Sequence, residues 1–215
     1  MKLYVYDHCP FCVRARMIFG LKNLDVEKIV LLNDDEDTPI SLVGKKVVPI
    51  LIKEDGTAMP ESLDIVHYID EHYGEKILSS DIRPEINDWV KQVSQYYNRL
   101  TMPRFIVLNL PEYTTQSAVD YFVKKKTESI GEFSENLANT AQYLQQLQQD
   151  LATLEPLVLS SETLNGKLSL EDIIVFPILR NLTCVKGLVY PAKIQDYLVN
   201  MAEKSKVDLY SDRAI

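Results

Sequence analysis

The chain is poor in cysteine, poor in basic charge and short of apolar runs. Its three cysteines, at 9, 12 and 184, are odd in number and too few for a disulfide-stapled secreted scaffold. A reducing cytoplasm is therefore the expected setting, where a close Cys pair points to redox or metal chemistry. Lys and Arg total 23 against 31 Asp and Glu, a net charge of −8. A nucleic-acid binder needs a basic footprint, and the one cationic run, Lys124-Lys125-Lys126, reads as a solvated helix face, so no nucleic acid is expected. Residues 1–8 lack the apolar core of a secretion signal. The longest apolar stretch, 173–179, is far short of a membrane span and contains Pro177, so no membrane partner is expected either.

What is present is ordinary globular composition, 46% apolar and 25% charged, in a length that can bury one large core or two smaller ones. The pattern changes near residue 75. Before it, short β-branched runs alternate with helical periodicity. Strands are expected at 2–6, 27–32, 47–53 and 57–59, the last two joined by the turn Glu54-Asp55-Gly56-Thr57. Helices are expected at 10–22, with Pro10 in the first turn, at 38–43, capped by Thr38 with Pro39 first, and at 62–72, ending at Tyr73-Gly74. The order β-α-β-α-β-β-α appends a hairpin to a βαβ unit.

From residue 84 the pattern is entirely helical. Leu137, Leu144, Leu147, Leu151, Leu154 and Val158 trace one apolar seam, and the Gln-rich stretch 142–149 is its polar face. Ser169 opens a helix as a capping box with Asp172 as the third residue, and Leu168 and Ile173 stand where a hydrophobic staple would pack. The chain divides into 1–74, a linker at 75–84, and an all-helical 85–215.

The chemistry is written in Cys9-Pro10-Phe11-Cys12. A Cys after a strand and at the start of a helix meets unpaired backbone amides and the positive end of the helix dipole. Both favour the thiolate, and thiols in such motifs drop from about 8.5 to ~3.5–7. Cys9 is the expected nucleophile. Cys12, one turn on and more buried, is the resolving thiol. Zinc would need four ligands; Cys184, His8, His67 and His72 are the other candidates, with no second C-x-x-C or H-x-x-x-H pair, and no metal is expected. A static disulfide and an iron–sulfur cluster shared between subunits are the other readings of the motif. Cys184 is expected inside an apolar helix, 173–185, as a core residue. His8 reads first as a solvated loop residue and second as electrostatic help for the thiolate. Arg16, roughly 10 Å along the helix from Cys9, helps it weakly.

Three motifs in order, Cys9-Pro10-Phe11-Cys12, Val48-Pro49 and Glu61-Ser62, resemble the glutathione-binding thioredoxin fold of glutaredoxins and glutathione transferases. With Asp7-His8-Cys9-Pro10, Met59-Pro60-Glu61-Ser62, Pro103-Arg104-Phe105 and Leu179-Arg180-Asn181-Leu182-Thr183, nearly the whole chain resembles the bacterial two-domain, glutathione-transferase-like glutaredoxins, the glutaredoxin 2 family. The resemblance implies an α/β thioredoxin-like N-terminal domain, with a mixed four-stranded sheet and flanking helices, plus an all-α transferase-like C-terminal domain. It implies glutathione as co-substrate, glutathionylated or disulfide-bonded proteins as partners, and a monomer. It makes Pro49 cis, gives Val48's N–H and C=O to the cysteinyl part of glutathione, and gives Glu61 and Ser62 to its γ-glutamyl end. For the glycine carboxylate, Lys22, Lys45 and Lys46 stay open, since 33–37 is acidic here. Pro103-Arg104-Phe105 is a candidate contact at the domain interface. Two further readings are a transferase that conjugates electrophiles and a non-enzymatic binding protein of transferase fold.

Overall fold

In the computed structural model, which describes residues 1–215, the first half is built on a sheet of four short strands: β1 (Lys2–Val5), β2 (Glu27–Val30), β3 (Ile50–Ile52) and β4 (Ala58–Pro60). Their order is β2-β1-β3-β4, with β1 and β2 parallel and the other neighbours antiparallel. Leu3 and Val5 on alternate positions of β1 are fully buried, as the period of two requires. The helices of this half are α1 (Pro10–Leu21), α2 (Asp37–Val43) and α3 (Ser62–His72). The first three strands are shorter than the sequence runs at 2–6, 27–32 and 47–53, because pairing stops where backbone partners stop, and the fourth has the expected length but lies one residue later than 57–59. Helix α2 starts earlier than expected. Glu36 stands at its cap, not Thr38, and Asp35 Oδ1 accepts from the Thr38 amide at 2.9 Å.

The second half contains α4 (Pro84–Ser94), α5 (Tyr97–Phe105), α6 (Gln116–Ile130), α7 (Phe133–Ala138), α8 (Thr140–Leu154), α9 (Leu170–Leu182) and α10 (Ala192–Ser205). The leucine seam breaks at its start. Leu137 lies on the separate helix α7 and is 41% exposed, whereas Leu147, Leu151 and Leu154 of α8 are fully buried. At the start of α9, Asp172 Oδ2 accepts from the Ser169 amide at 2.9 Å, and its Oδ1 accepts from the Leu164 amide at 2.9 Å. The capping box therefore also ties down the preceding loop. Cys184 does not lie inside α9. It sits just past the helix end, fully buried, and burial pushes its thiol up to about 12.

One continuous apolar core runs through both halves. Helix α1 makes this possible by packing on α3 on one side and on α9 and α10 on the other. The approach to α10 is close: a Cβ on Gly20 would fall 1.8 Å from the backbone oxygen of Ser205. Between α3 and α4 the chain is pinned at both ends. Buried Asp70 accepts from the amides of Ile77 (2.9 Å) and Leu78 (3.2 Å). Arg83 forks onto Glu171 with Nε–Oε1 at 2.9 Å and Nη2–Oε2 at 2.7 Å. No helix is long and apolar enough to cross a membrane.

Candidate active site

Cys9 caps α1 with extended backbone angles (φ −68°, ψ 118°), and Pro10 follows as the first helical residue. All three cysteines are free thiols. Cys9 is partly exposed at the floor of a cleft; Cys12 is fully buried. The two sulfurs are driven apart in acidity. A hydrogen bond from the Cys12 thiol, the charge of His8, and the amides of Cys12 and Phe11 outweigh desolvation and lower Cys9 to about 7. Burial holds the Cys12 thiol well above its ordinary value. Cys12 thus keeps its proton and donates it, while the Tyr6 amide points at its sulfur from 3.4 Å.

The loop that delivers Cys9 is held by the helical half. Asp7 Oδ2 accepts from Arg180 Nη2 at 2.8 Å and from the Tyr210 hydroxyl at 2.7 Å, and its Oδ1 accepts from Arg16 at 2.9 Å. These cations hold the Asp7 carboxyl well below the usual range against the opposing effect of its burial. Arg180 also donates to the Asp7 carbonyl at 2.8 Å, and Asn181 Nδ2 donates to the His8 carbonyl at 2.7 Å. Arg16 therefore serves Asp7 rather than the nucleophile.

His8 is not a solvated loop residue. It is 7% exposed, and its ring packs among Tyr6, Phe105, Tyr113 and Phe122. Its Nδ1 lies 2.6 Å from Glu112 Oε1, in the 3-10 turn Pro111–Tyr113.

The cleft measures about 530 Å³, within the range of small-molecule sites. Its thioredoxin-like wall carries Tyr6, His8, Cys9, Phe11, Asn33, Lys46 and Val48. The helical wall carries Tyr97, Met102, Phe105, Tyr121, Lys125 and Lys126. The peptide bond between Val48 and Pro49 is cis, and neither the N–H nor the C=O of Val48 bonds within the chain. Pro49, Glu61 and Ser62 do not line the cleft. Glu61, at φ 72°, pairs with Lys45 at 3.0 Å, and Ser62 begins α3. Since Ile50 pairs with Pro60 across β3 and β4, Glu61 follows on beside Pro49.

The structure separates the three candidate lysines. Lys22 is spent on Asp70 (3.2 Å) and the Glu75 carbonyl (2.7 Å), and Lys45 on Glu61. Lys46 is also partnered, donating to the Asn33 carbonyl at 2.7 Å, lying over the Tyr121 ring and pairing with Glu36 at 3.8 Å, but it alone of the three lines the cleft. Two members of the lysine run join it: Lys125 and Lys126 line the cleft, while Lys124 and Lys125 are exposed to solvent as the sequence suggests. Arg104 is no interface contact. It is buried, donating to the carbonyls of Leu100 and Ile215 and to Thr140. Of Pro103-Arg104-Phe105 only Phe105 reaches the cleft. Glu112, Tyr210, Tyr97, Met102 and Tyr121 carry no motif, and Arg180 and Asn181 stood out only within the family resemblance. No three or more His, Cys, Asp or Glu side chains cluster so as to hold a metal ion.

A thiol of lowered pKa above a protonated partner thiol, in a cleft between a thioredoxin-like sheet and a helical bundle, defines a two-domain protein of glutathione-transferase architecture. Residues 3–76 match the family described as glutathione S-transferase, N-terminal domain, and residues 85–214 match glutaredoxin 2, C terminal domain. The curated protein Glutaredoxin 2 of Escherichia coli strain K12 is 47% identical over 215 residues, all of both chains. A crystal structure of glutaredoxin 2 from Salmonella typhimurium in complex with glutathione is 48% identical and superposes with a TM-score of 0.97, covering 100% of this chain and 98% of that one. A glutathione S-transferase from Rhodospirillum rubrum F11, 17% identical with a TM-score of 0.65, covers 95% of this chain and 89% of its own, and shares the fold. The chain belongs to the glutaredoxin 2 family.

Proposed function

We propose that this protein is a glutathione-dependent thiol–disulfide oxidoreductase that works through Cys9. The observation that carries the reading is the placement of the two thiols: Cys9 caps α1 and opens into the cleft, while Cys12 is fully buried one turn on. The Cys9 thiolate attacks the glutathionyl sulfur of a mixed disulfide. The substrate sulfur leaves as a thiolate and takes a proton from water, and Cys9 is left disulfide-bonded to glutathione. A second glutathione thiolate attacks that bond, releasing glutathione disulfide and restoring Cys9. With a protein disulfide, the Cys9 thiolate attacks one sulfur and forms a mixed disulfide, releasing the other as a thiolate. Cys12 then gives up its proton to solvent and attacks the Cys9 sulfur, and the second protein sulfur leaves as a thiolate that takes a proton from water. Two glutathiones then reduce the Cys9–Cys12 bond.

The free N–H and C=O of Val48 suit the cysteinyl backbone of glutathione, which would add like a short strand. Glu61 and Ser62, next along that edge, suit its γ-glutamyl end: an acid for the ammonium and a helix start for the carboxylate. Lys46, Lys125 and Lys126 line the same cleft and suit the glycine carboxylate. The chemistry fits a cytoplasmic setting in which glutathione keeps thiols reduced.

A conjugating transferase would need a group that activates glutathione's own thiol. Tyr6 and Tyr97 are the cleft hydroxyls that feel the Cys9 charge. Burial first, then the charge of Cys9 (and for Tyr6 of Cys12), pushes both hydroxyls up, so both stay protonated at neutral pH and neither can take the proton of glutathione's thiol. The test is NADPH consumption coupled through glutathione reductase with a β-mercaptoethanol–glutathione mixed disulfide. Cys9→Ser should lose turnover and Cys12→Ser should keep it on this substrate. An active Cys9→Ser protein would show that another group is the nucleophile.

A further inference from the structure

Glu112 is a carboxylate with no exposed side-chain surface, brought from the helical half to the back of the nucleophile loop. Its Oε1 accepts twice from one residue, from the His8 amide at 2.9 Å and from His8 Nδ1 at 2.6 Å. Its Oε2 is buried with no partner. Burial raises the Glu112 carboxyl, but the His8 contacts outweigh it and hold it below the ordinary value. An ionised carboxylate only accepts hydrogen bonds. Nδ1 of His8 therefore carries a proton, and a second proton, when present, sits on Nε2.

The groups that face this ring are few. Tyr6 and Cys9 belong to its own loop and to the start of α1. Tyr113 follows Glu112, with its hydroxyl 3.2 Å from Nδ1 and 3.4 Å from Nε2. Phe105 of α5 and Phe122 of α6 contribute apolar rings, and Asn181 of α9 holds the His8 carbonyl. Lys46, Lys125 and Lys126 stand on the walls of the same cleft. His8 is thus the only charge partner Glu112 has, and a buried carboxylate without one is costly.

We propose that Glu112 is a positioning residue for disulfide exchange, clamping the backbone and imidazole of His8 so that positive charge on that ring is stabilised next to the Cys9 sulfur. The idea rests on the exchange function above, but its readout is not turnover. The experiment is the pH profile of Cys9 alkylation by iodoacetamide in the full chain, wild type beside Glu112→Gln. Gln keeps an oxygen for both donors and removes only the charge. The expected result is a midpoint about one pH unit higher, which cuts the thiolate at pH 7 roughly fivefold. An unchanged midpoint overturns the proposal. So does a lower one, the result if Glu112 acted only as a nearby negative charge.

If Glu112→Gln fails to fold, His8→Asn tests the same link, since its amide can donate to Glu112 without carrying charge. No shift overturns the proposal, and an upward shift supports it only when the imidazole ¹⁵N shifts of the wild type also place the proton on Nδ1 facing Glu112. In the wild type, ¹⁵N shifts of the imidazole, assigned by loss of the signal in His8→Asn, should show Nδ1 protonated when the ring is neutral. A neutral ring protonated on Nε2 overturns the clamp. A wild type inactive in exchange but with the shifted profile in Glu112→Gln would sink the functional reading and leave the positioning role standing.

Discussion

Replacing Arg180 by Met should loosen the nucleophile loop without leaving a large hole, since Met nearly fills the space of the arginine stem. Arg180 is 1% exposed and donates to the Asp7 carbonyl and Oδ2 (both 2.8 Å), to the Tyr210 hydroxyl (2.6 Å) and to the Asp208 carbonyl (2.8 Å). Removing one partner of a buried ion pair costs about 3–5 kcal/mol. Asp7 keeps Arg16 at 2.9 Å, which places the loss near about 3 kcal/mol. For a chain of this size that is a drop in Tm of roughly 6–12 °C. Thermal unfolding followed by circular dichroism measures it.

The pH dependence gives a second check. The folded Asp7 carboxyl is depressed, so its contribution is complete above the unfolded value, about 4, and is lost as pH falls toward the folded value. The gap between wild type and Arg180→Met should therefore be full at pH 7 and narrow below about pH 4. A loss under about 1 kcal/mol, or a gap that does not narrow in acid, would refute the assignment of Arg180 and Asp7 as the strut between the halves.

Two other outcomes follow from packing and burial. Gly20→Ala should be destabilising by about 3 kcal/mol or more, because its methyl meets the Ser205 backbone oxygen rather than a side chain that can swing away; an unchanged urea midpoint would contradict the close approach of α1 and α10. With the native protein at pH 7.5, iodoacetamide should modify Cys9 within minutes, and Cys184 only after unfolding, since that thiol is fully buried and raised to about 12. Peptide mass mapping would show early modification at Cys184 if this is wrong.

The sequence by itself determined the local events. A Cys-Pro-Phe-Cys run after a short strand starts a helix at Pro10 and sets the Cys9 thiol against the Cys12 thiol and the amides of Phe11 and Cys12, all within one helical turn. The helix 62–72 was legible to the residue because Ser62, the apolar spacing and Gly74 mark both its ends. The capping box at Ser169 was equally plain, since its partners lie three residues apart. Only the tertiary structure decided what surrounds the thiol. His8 looked solvated because its partner, Glu112, is 104 residues away. The lysines at 124–126 looked like a plain polar face until α6 turned two of them toward the cleft. Arg180 reaches Asp7 across 173 residues. Spacing along a chain encodes helix faces and strand alternation because those repeat every few residues. The meeting of two halves is set by the packing of α1 between them, and no local periodicity records it.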